Sequence, residues 1–153
     1  MARYKSTTTS NATLNITKLQ QLKDYQQLQK EIYLAVSSGN NDGEVIRLLN
    51  TIPTLATLFK GTLGIADVIS TLGGYAEEAS NKQKEALLDG LYAGYEFFKK
   101  QASEWDSKFV SMKVSVPMAA MIDTNKDNKR VNYIRGTGYV VSKTTSSGVS
   151  LTM

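Results

Sequence analysis

Three oxygen-bearing side chains between residues 123 and 134 are spaced like calcium ligands. Asp123, Asn125 and Asp127 occupy positions 1, 3 and 5 of the EF-hand loop pattern. That pattern also requires a glycine at position 6 and a bidentate glutamate at position 12, and this chain has Asn128 and Ile134 there. Lysine and arginine side chains in the same stretch would repel a cation. The sequence therefore predicts no metal site and favours a solvated turn between two strands, because Asn and Asp tolerate positive φ.

The chain contains no cysteine and no histidine, and this excludes most side-chain catalysis. Without cysteine there are no disulfides, no thiolate nucleophiles and no cysteine-ligated zinc or iron–sulfur sites. Without histidine there are no Ser–His or Cys–His couples and no imidazole ligands. The sequence also lacks a Ser-x-x-Lys motif and the glycine spacing of phosphate-binding loops. We therefore predict that the protein is not an enzyme, with no catalytic residues and no cofactor.

Basic residues are concentrated in the part of the chain that follows residue 105. From residue 106 onward there are three acidic and seven basic residues, a balance of +4 that equals the net charge of the whole chain. Five residues around the predicted turn are expected to bind a partner: Lys126, Lys129, Arg130, Tyr133 and Arg135. Such a basic tip suits an acidic surface of a neighbouring protein. As an alternative, these bases with Tyr133 and Tyr139 nearby suit a nucleic acid. Basic residues also protect a strand edge from unwanted pairing.

The period of the apolar residues between 107 and 143 predicts the β-hairpin that carries this turn. Apolar residues alternate with polar ones over the first strand at Met112, Val114, Val116, Met118, Ala120 and Ile122. Pro117 cannot donate a hydrogen bond to a ladder, so this strand should lie at an edge of the sheet or contain a bulge there. Residues 131–143 are the predicted return strand, weakened or bent by Gly136 and Gly138.

Helical spacing of apolar residues predicts the body of the protein upstream of the hairpin. We expect Gly73–Gly74 to end the third helix, because glycine is a common helix stop. The predicted helices span residues 16–36, 44–50, 53–72 and 75–105.

Two sets of residues on the longest predicted helix should pack against other elements. The first set has the alternating three- and four-residue spacing of helix–helix contacts: Leu88, Leu91, Tyr95, Phe98 and Trp105. The second set consists of small residues four apart, which let another backbone come close: Ala86, Gly90 and Gly94. Each glycine costs roughly 1 kcal/mol of helix stability relative to alanine, so a packing reason is expected.

The segment 53–72 is about as long as a membrane span, but its composition favours burial inside the protein. Lys60 and Asp67 lie within it, and charged residues are rare in spanning helices. We predict a central core helix and regard membrane insertion of this segment as an alternative. The start of the chain has no apolar stretch after its basic residues, so no secretory signal and a cytoplasmic place of synthesis are expected.

These patterns predict an α+β fold with a three- to four-helix bundle at its amino-terminal end and a long antiparallel β-hairpin at its carboxyl-terminal end. The expected organisation within one domain is a polar arm at 1–14, a helical body at 15–106, a basic hairpin at 107–143 and a polar tail at 144–153.

The expected function is that of a non-enzymatic structural subunit in a multi-protein assembly. Polar arms and projecting hairpins that contact neighbouring subunits are typical of phage and virus particles, so a virion component is the favoured class. Its partners would be copies of itself or other assembly proteins. A nucleic-acid-binding protein that uses the hairpin is one alternative, and a membrane-active protein that inserts residues 53–72 is another.

Overall fold

An antiparallel sheet, built from segments far apart in the sequence, packs against helices from the middle of the chain. The computed structural model describes residues 3–38, 42–51 and 67–152. Within these residues the chain forms five strands and four helices, so the predicted α+β class is confirmed. In chain order they are β1 (Tyr4–Ile16), α1 (Leu19–Ser38), α2 (Asp42–Thr51), α3 (Asp67–Glu78), α4 (Asn81–Ser103), β2 (Phe109–Asp123), β3 (Lys129–Ile134), β4 (Tyr139–Thr145) and β5 (Ser150–Thr152).

The predicted order of a helical bundle followed by a hairpin differs from the structure, because a strand comes first. Residues 4–16 form β1, where a polar arm was expected at 1–14 and a helix from residue 16. Threonine favours strands through its branched Cβ, but this segment alternates apolar and polar residues only at its end, where Leu14 and Ile16 enter the core. A strand that is polar along most of its length gives no period-two signal.

Strand β2 is the centre of the sheet rather than one arm of an isolated hairpin. On one side it pairs with β1 from Tyr4–Asp123 to Ile16–Met112. On its other side β3 and β4 follow one another, β3 along the second half of β2 and β4 along the first half. The predicted return strand is therefore two strands, and β5 pairs with the far side of β4. The predicted polar tail accordingly contains a strand.

Pro117 marks a break in the pairing on both sides of β2. Opposite it, β1 shifts register between Thr9 and Ala12, and on the other side β3 has ended before β4 begins. The backbone N–H of Arg135, in the connection between β3 and β4, donates to the carbonyl of Pro117 at 3.0 Å. The sequence predicted either a bulge at this proline or an edge position for β2. The irregularity is present, in the strands that pair with β2, and the edge position is wrong.

Helices α1 and α4 pack against each other and supply much of the core. The rings of Tyr25 and Phe98 stack between them with centroids 5.0 Å apart. The first and second helices were predicted within a few residues of their observed ends. The predicted stop at Gly73–Gly74 is wrong, since α3 continues through it to Glu78.

The break between the last two helices lies at Ser80, which the sequence analysis did not identify. Ser80 and Gln83 form a capping box in which each side chain accepts a hydrogen bond from the backbone N–H of the other residue. Position 74 inside α3 favours glycine, because the hydroxyl of Tyr4 occupies the space that a Cβ there would need.

Helices and strands together form the core, which encloses the second half of β2. Met112, Val114 and Val116 are buried on one face of β2, as the alternation predicted. Beyond Pro117 both faces are buried, so the residues between the predicted core positions are also inside: Ala119, Met121 and Asp123.

The predicted helix at 53–72 falls mostly outside the described residues. Residues 67–72 form the first half of α3, while residues 53–66 lie outside the described residues. The core-helix and membrane interpretations of residues 53–72 both depend on that part of the chain. Within the part of the chain that the structure describes, no helix has the length and apolar character needed to cross a bilayer.

Candidate interaction surface

The calcium-like spacing is explained by an ion pair between the beginning of β1 and the end of β2. The guanidinium of Arg3 donates from Nε and Nη2 to the two carboxylate oxygens of Asp123, each at 3.1 Å. The backbone N–H and the hydroxyl of Thr124 donate to the carbonyl of Arg3 at 2.8 and 2.7 Å. Asp123 is 1% exposed, so its oxygens serve Arg3 and the neighbouring backbone.

The charge of Asp123 is stabilised by these contacts. The hydrogen bond from Arg3, and then that from the backbone N–H of Asn125, hold the pKa of the Asp123 carboxyl below its usual value. In residues 3–38, 42–51 and 67–152 there is no group of three acidic side chains that could hold a metal ion.

The turn between β2 and β3 has the backbone that its residue types favour. Asp127 and Asn128 both adopt left-handed conformations with φ of 56°. This agrees with the prediction that Asn and Asp in this stretch form a turn. Because Arg3 and Thr124 fasten the beginning of β1 beside it, the turn and the first residues of β1 form one end of the sheet.

The five residues predicted to bind a partner lie in three different environments. Lys126, Lys129 and Arg130 surround the turn, with Arg130 exposed. Arg135 follows β3 at its opposite end, about 20 Å away for six residues of extended chain. Tyr133 is inside the protein, 5% exposed, and its hydroxyl lies 2.9 Å from the hydroxyl of Ser6. Burial raises the pKa of Tyr133. The structure therefore brings three of the five together at the turn and places Tyr133 and Arg135 away from it.

Strand parity could have placed Tyr133 correctly. It alternates with Asn132 and shares a face with Val131, an apolar residue that is fully buried. Its closeness in sequence to the basic residues does not determine which face of the strand it occupies.

The residues predicted to pack along the longest helix are only partly on its buried face. Leu91 and Phe98 are fully buried, while Leu88, Tyr95 and Trp105 are half-buried. The buried residues of α4 instead follow a face displaced by about one position: Leu87, Leu91, Gly94, Phe97, Phe98 and Gln101. Trp105 lies beyond the end of α4, and Ala86 is exposed.

Two of the three small residues on α4 adjoin other elements closely. A side chain at Gly90 would collide with the backbone carbonyl of Arg135. A Cβ at Gly94 would lie 2.6 Å from the side-chain nitrogen of Gln29 and 3.1 Å from Ile134. Both glycines therefore let the end of β3 and the chain after it approach the helix.

Two shallow clefts flank α4. One of about 270 Å³ is bordered by Ser6, Tyr75, Tyr133 and Arg135, together with the first turns of α4. The other, of about 350 Å³, lies between the last turns of α4 and the beginning of β4. The first contains no carboxylate, and the second contains the single carboxylate of Glu96, so neither offers paired acids for acid–base chemistry.

The surface that the sequence analysis missed is the outer edge of β1. This strand is 13 residues long, lies at the end of the sheet order, and has no second strand partner among the described residues. Lys5 is its only charged residue, and it contains no proline. Residues 5–8 have exposed side chains, and the only irregularity in pairing lies between Thr9 and Ala12. A threonine-rich segment leading into alternating Leu14 and Ile16 was the available signal.

Comparison with known proteins gives no family to guide the interpretation. The chain matches no protein-family model, no curated protein and no solved structure.

Proposed function

We propose that the protein is a non-enzymatic structural subunit of a multi-protein assembly and that it contacts neighbouring subunits through the edge of β1. The observation that supports this is the length and exposure of that edge. An unpaired strand edge presents a row of backbone N–H and C=O groups, which is a template for adding a strand from another chain.

The edge is held in a fixed position before any partner binds. Eleven register pairs join β1 to β2, and the two-point contact between Arg3 and Asp123 fastens its first residues. An edge that is already ordered loses little conformational freedom on pairing, which favours association.

The assembly that we favour is the particle of a phage or virus, with synthesis in the cytoplasm beforehand. The support is an analogy of architecture, since strands and turns that reach neighbouring subunits are common in such particles. The basic turn around Lys126, Lys129 and Arg130 would be a second contact, directed at an acidic surface of an adjacent subunit.

A nucleic-acid-binding role is less well supported. Stacking on bases needs an exposed aromatic ring close to the basic residues. Tyr133 is buried against Ser6, and the exposed Tyr139 pairs opposite Ser115, away from the turn. Arg135 lies at the other end of β3 from the turn. A nucleic-acid binder would show affinity that falls steeply with salt and that Arg130→Glu weakens.

Light scattering coupled to size-exclusion chromatography tests the proposed function. We expect a mass above the 16.8 kDa of one chain that rises with protein concentration, or a stable complex with the product of a neighbouring gene. A mass that stays at 16.8 kDa up to high concentration, together with no complex with any such product, would overturn the proposal.

A further inference from the structure

We infer that the partner of β1 is β1 of a second copy, paired antiparallel with Thr7 opposite its own counterpart, so that two sheets join edge to edge. This inference rests on the proposed function and names the partner. It follows from the charge, flatness and symmetry of one short segment of the strand.

The charge of the strand suits a copy of itself. An edge that selects a different protein usually carries charges complementary to that partner. Lys5 is the only charged residue between Tyr4 and Ile16, and no acidic residue occurs there. Two such strands therefore meet with little repulsion, provided that the two copies of Lys5 do not face each other.

The flat part of the edge limits where the pairing can be centred. Residues 4–9 pair with β2 in unbroken register, and the irregularity between Thr9 and Ala12 follows. Past it, Leu14 and Ile16 are directed into the core of their own chain. A strand added to residues 5–9 meets a regular edge, whereas one centred further along would have to cross the bulge.

Symmetry then selects a residue to lie at the centre. A two-fold axis normal to a sheet keeps each face of the sheet on the same side, so the residue at the axis lies opposite its own copy. With Thr7 at the axis, Lys5 lies opposite Thr9, and residues 5–9 are all paired. The two copies of Lys5 are then about 14 Å apart along the strand, which exceeds the screening length of about 10 Å at 0.1 M salt.

The side chains around this centre are suited to cross-strand contact. Thr7 is exposed and would meet a second threonine, a pair whose hydroxyls and branched Cβ atoms favour antiparallel pairing. On the other face Ser6 would lie opposite Thr8. The contact is polar, so the dimer should form and dissociate with protein concentration.

The absence of cysteine makes a disulfide test specific, because an introduced cysteine is the only thiol in the chain. We expect Thr7→Cys to form a disulfide-linked dimer about tenfold faster than the exposed control Glu85→Cys on α4, since pairing raises the local thiol concentration. Mixing Lys5→Cys with Thr9→Cys should give the mixed dimer in preference to either homodimer.

The four variants separate failure of this inference from failure of the proposed function. Equal rates for Thr7→Cys and Glu85→Cys, with no mixed dimer from Lys5→Cys and Thr9→Cys, would overturn the pairing. If the wild-type protein is still oligomeric by light scattering, the assembly role stands and uses another surface. Preferential homodimers of Lys5→Cys would overturn the register centred on Thr7. All substituted side chains are exposed or half-buried, so matching circular dichroism spectra are expected and serve as the folding control.

Discussion

The carboxylate of Asp123 couples the beginning of β1 to the far end of β2, and its protonation is therefore linked to folding. Its pKa in the folded protein is lowered by the hydrogen bonds from Arg3 and from the backbone of Asn125. A carboxyl with a lowered pKa stabilises the folded state at pH values above its unfolded pKa. That contribution is lost as the pH falls through the folded pKa.

We expect Asp123→Asn to lower the free energy of unfolding at pH 7, because it removes the charged partner of Arg3. The loss should be only about 1 kcal/mol, since solvent screens the partly exposed Arg3. The difference between wild type and variant should decrease below about pH 4, where the carboxyl of the unfolded chain becomes protonated. Urea unfolding at pH 7 and at pH 3 measures both values. A difference that is the same at the two pH values would contradict the assigned role of the ion pair.

Two helical glycines should respond to alanine in opposite directions. Gly90→Ala gains helix propensity, but its Cβ meets the backbone carbonyl of Arg135, a residue whose own N–H donates to the carbonyl of Pro117. We expect a net loss of stability of about 1–3 kcal/mol, the usual cost of overpacking. Gly73→Ala is the matched control in α3, since no described atom lies within 4 Å of its Cβ. It should gain about 0.5–1 kcal/mol. Thermal unfolding of both variants checks these signs, and stabilisation by Gly90→Ala would contradict the packing.

At the scale of elements, Gln29 joins α1, α4 and β3 through one buried side chain. Its amide nitrogen donates to the carbonyls of Leu91 and Ile134 at 3.2 and 3.0 Å. Gln29→Glu would replace this donor by a carboxylate that faces two carbonyl oxygens. We expect a loss of about 3 kcal/mol or more at pH 7, and a smaller loss at low pH, where the acid is protonated and can donate.

Chemical denaturation of Gln29→Glu at pH 7 and pH 4 tests this prediction. Gln26→Glu, on the same helix with a side chain that reaches solvent, is the control and should change stability little. A loss for Gln29→Glu no greater than that for Gln26→Glu would show that the two carbonyls do not depend on this donor.

The elements that could be predicted from sequence are those whose signal is local. The alternation from Met112 to Ile122 predicted β2, and the spacing from Ile16 to Val36 predicted α1, because burial of one face imposes a period on the residues. Ile16 itself belongs to β1, so the predicted helix began three residues too early. The start of α4 depended on the Ser80–Gln83 capping box within a run of helix-forming residues. Strand β1 offers only a weak local signal, the threonine-rich segment before Leu14 and Ile16, because it is stabilised by pairing with residues about a hundred positions away.

In the candidate surface, too, the part with a local sequence signal could be predicted and the part set by long-range pairing could not. The basic turn was predictable from Asp127 and Asn128, whose types favour positive φ. The exposed edge was not, because an edge is a property of the sheet order and not of any one segment. The burial of Tyr133 could be predicted from strand parity, because Tyr133 shares a face with the buried Val131.

For the molecule as a whole, self-pairing through β1 links thermal stability to protein concentration. A partner that binds the folded chain and not the unfolded one raises the melting temperature by mass action. We expect the wild-type melting temperature to rise by a few degrees over a hundredfold increase in concentration. Thr7→Lys should remove this dependence, because it places two like charges opposite each other.

Scanning calorimetry over that range of concentration provides the measurement. Thr13→Lys adds the same charge to an exposed position on the other side of the bulge and should leave the dependence in place. Equal concentration dependence in wild type and Thr7→Lys would place the contact elsewhere.

The pairing of β1 with β2 has a consequence for how the chain reaches its native state. Arg3 and Asp123 meet across 120 residues of intervening sequence, and the whole β1 ladder spans comparable separations. Contacts this remote form late, because a long loop must close before they contribute. During synthesis on the ribosome, β1 emerges before β2 and stays unpaired until β2 has been translated. We expect the helices, whose contacts are more local, to form in that interval. The waiting segment is rich in threonine, carries one charge and has no proline, which is the composition of a segment open to pairing with another chain. Association of incomplete chains is therefore expected to begin at β1.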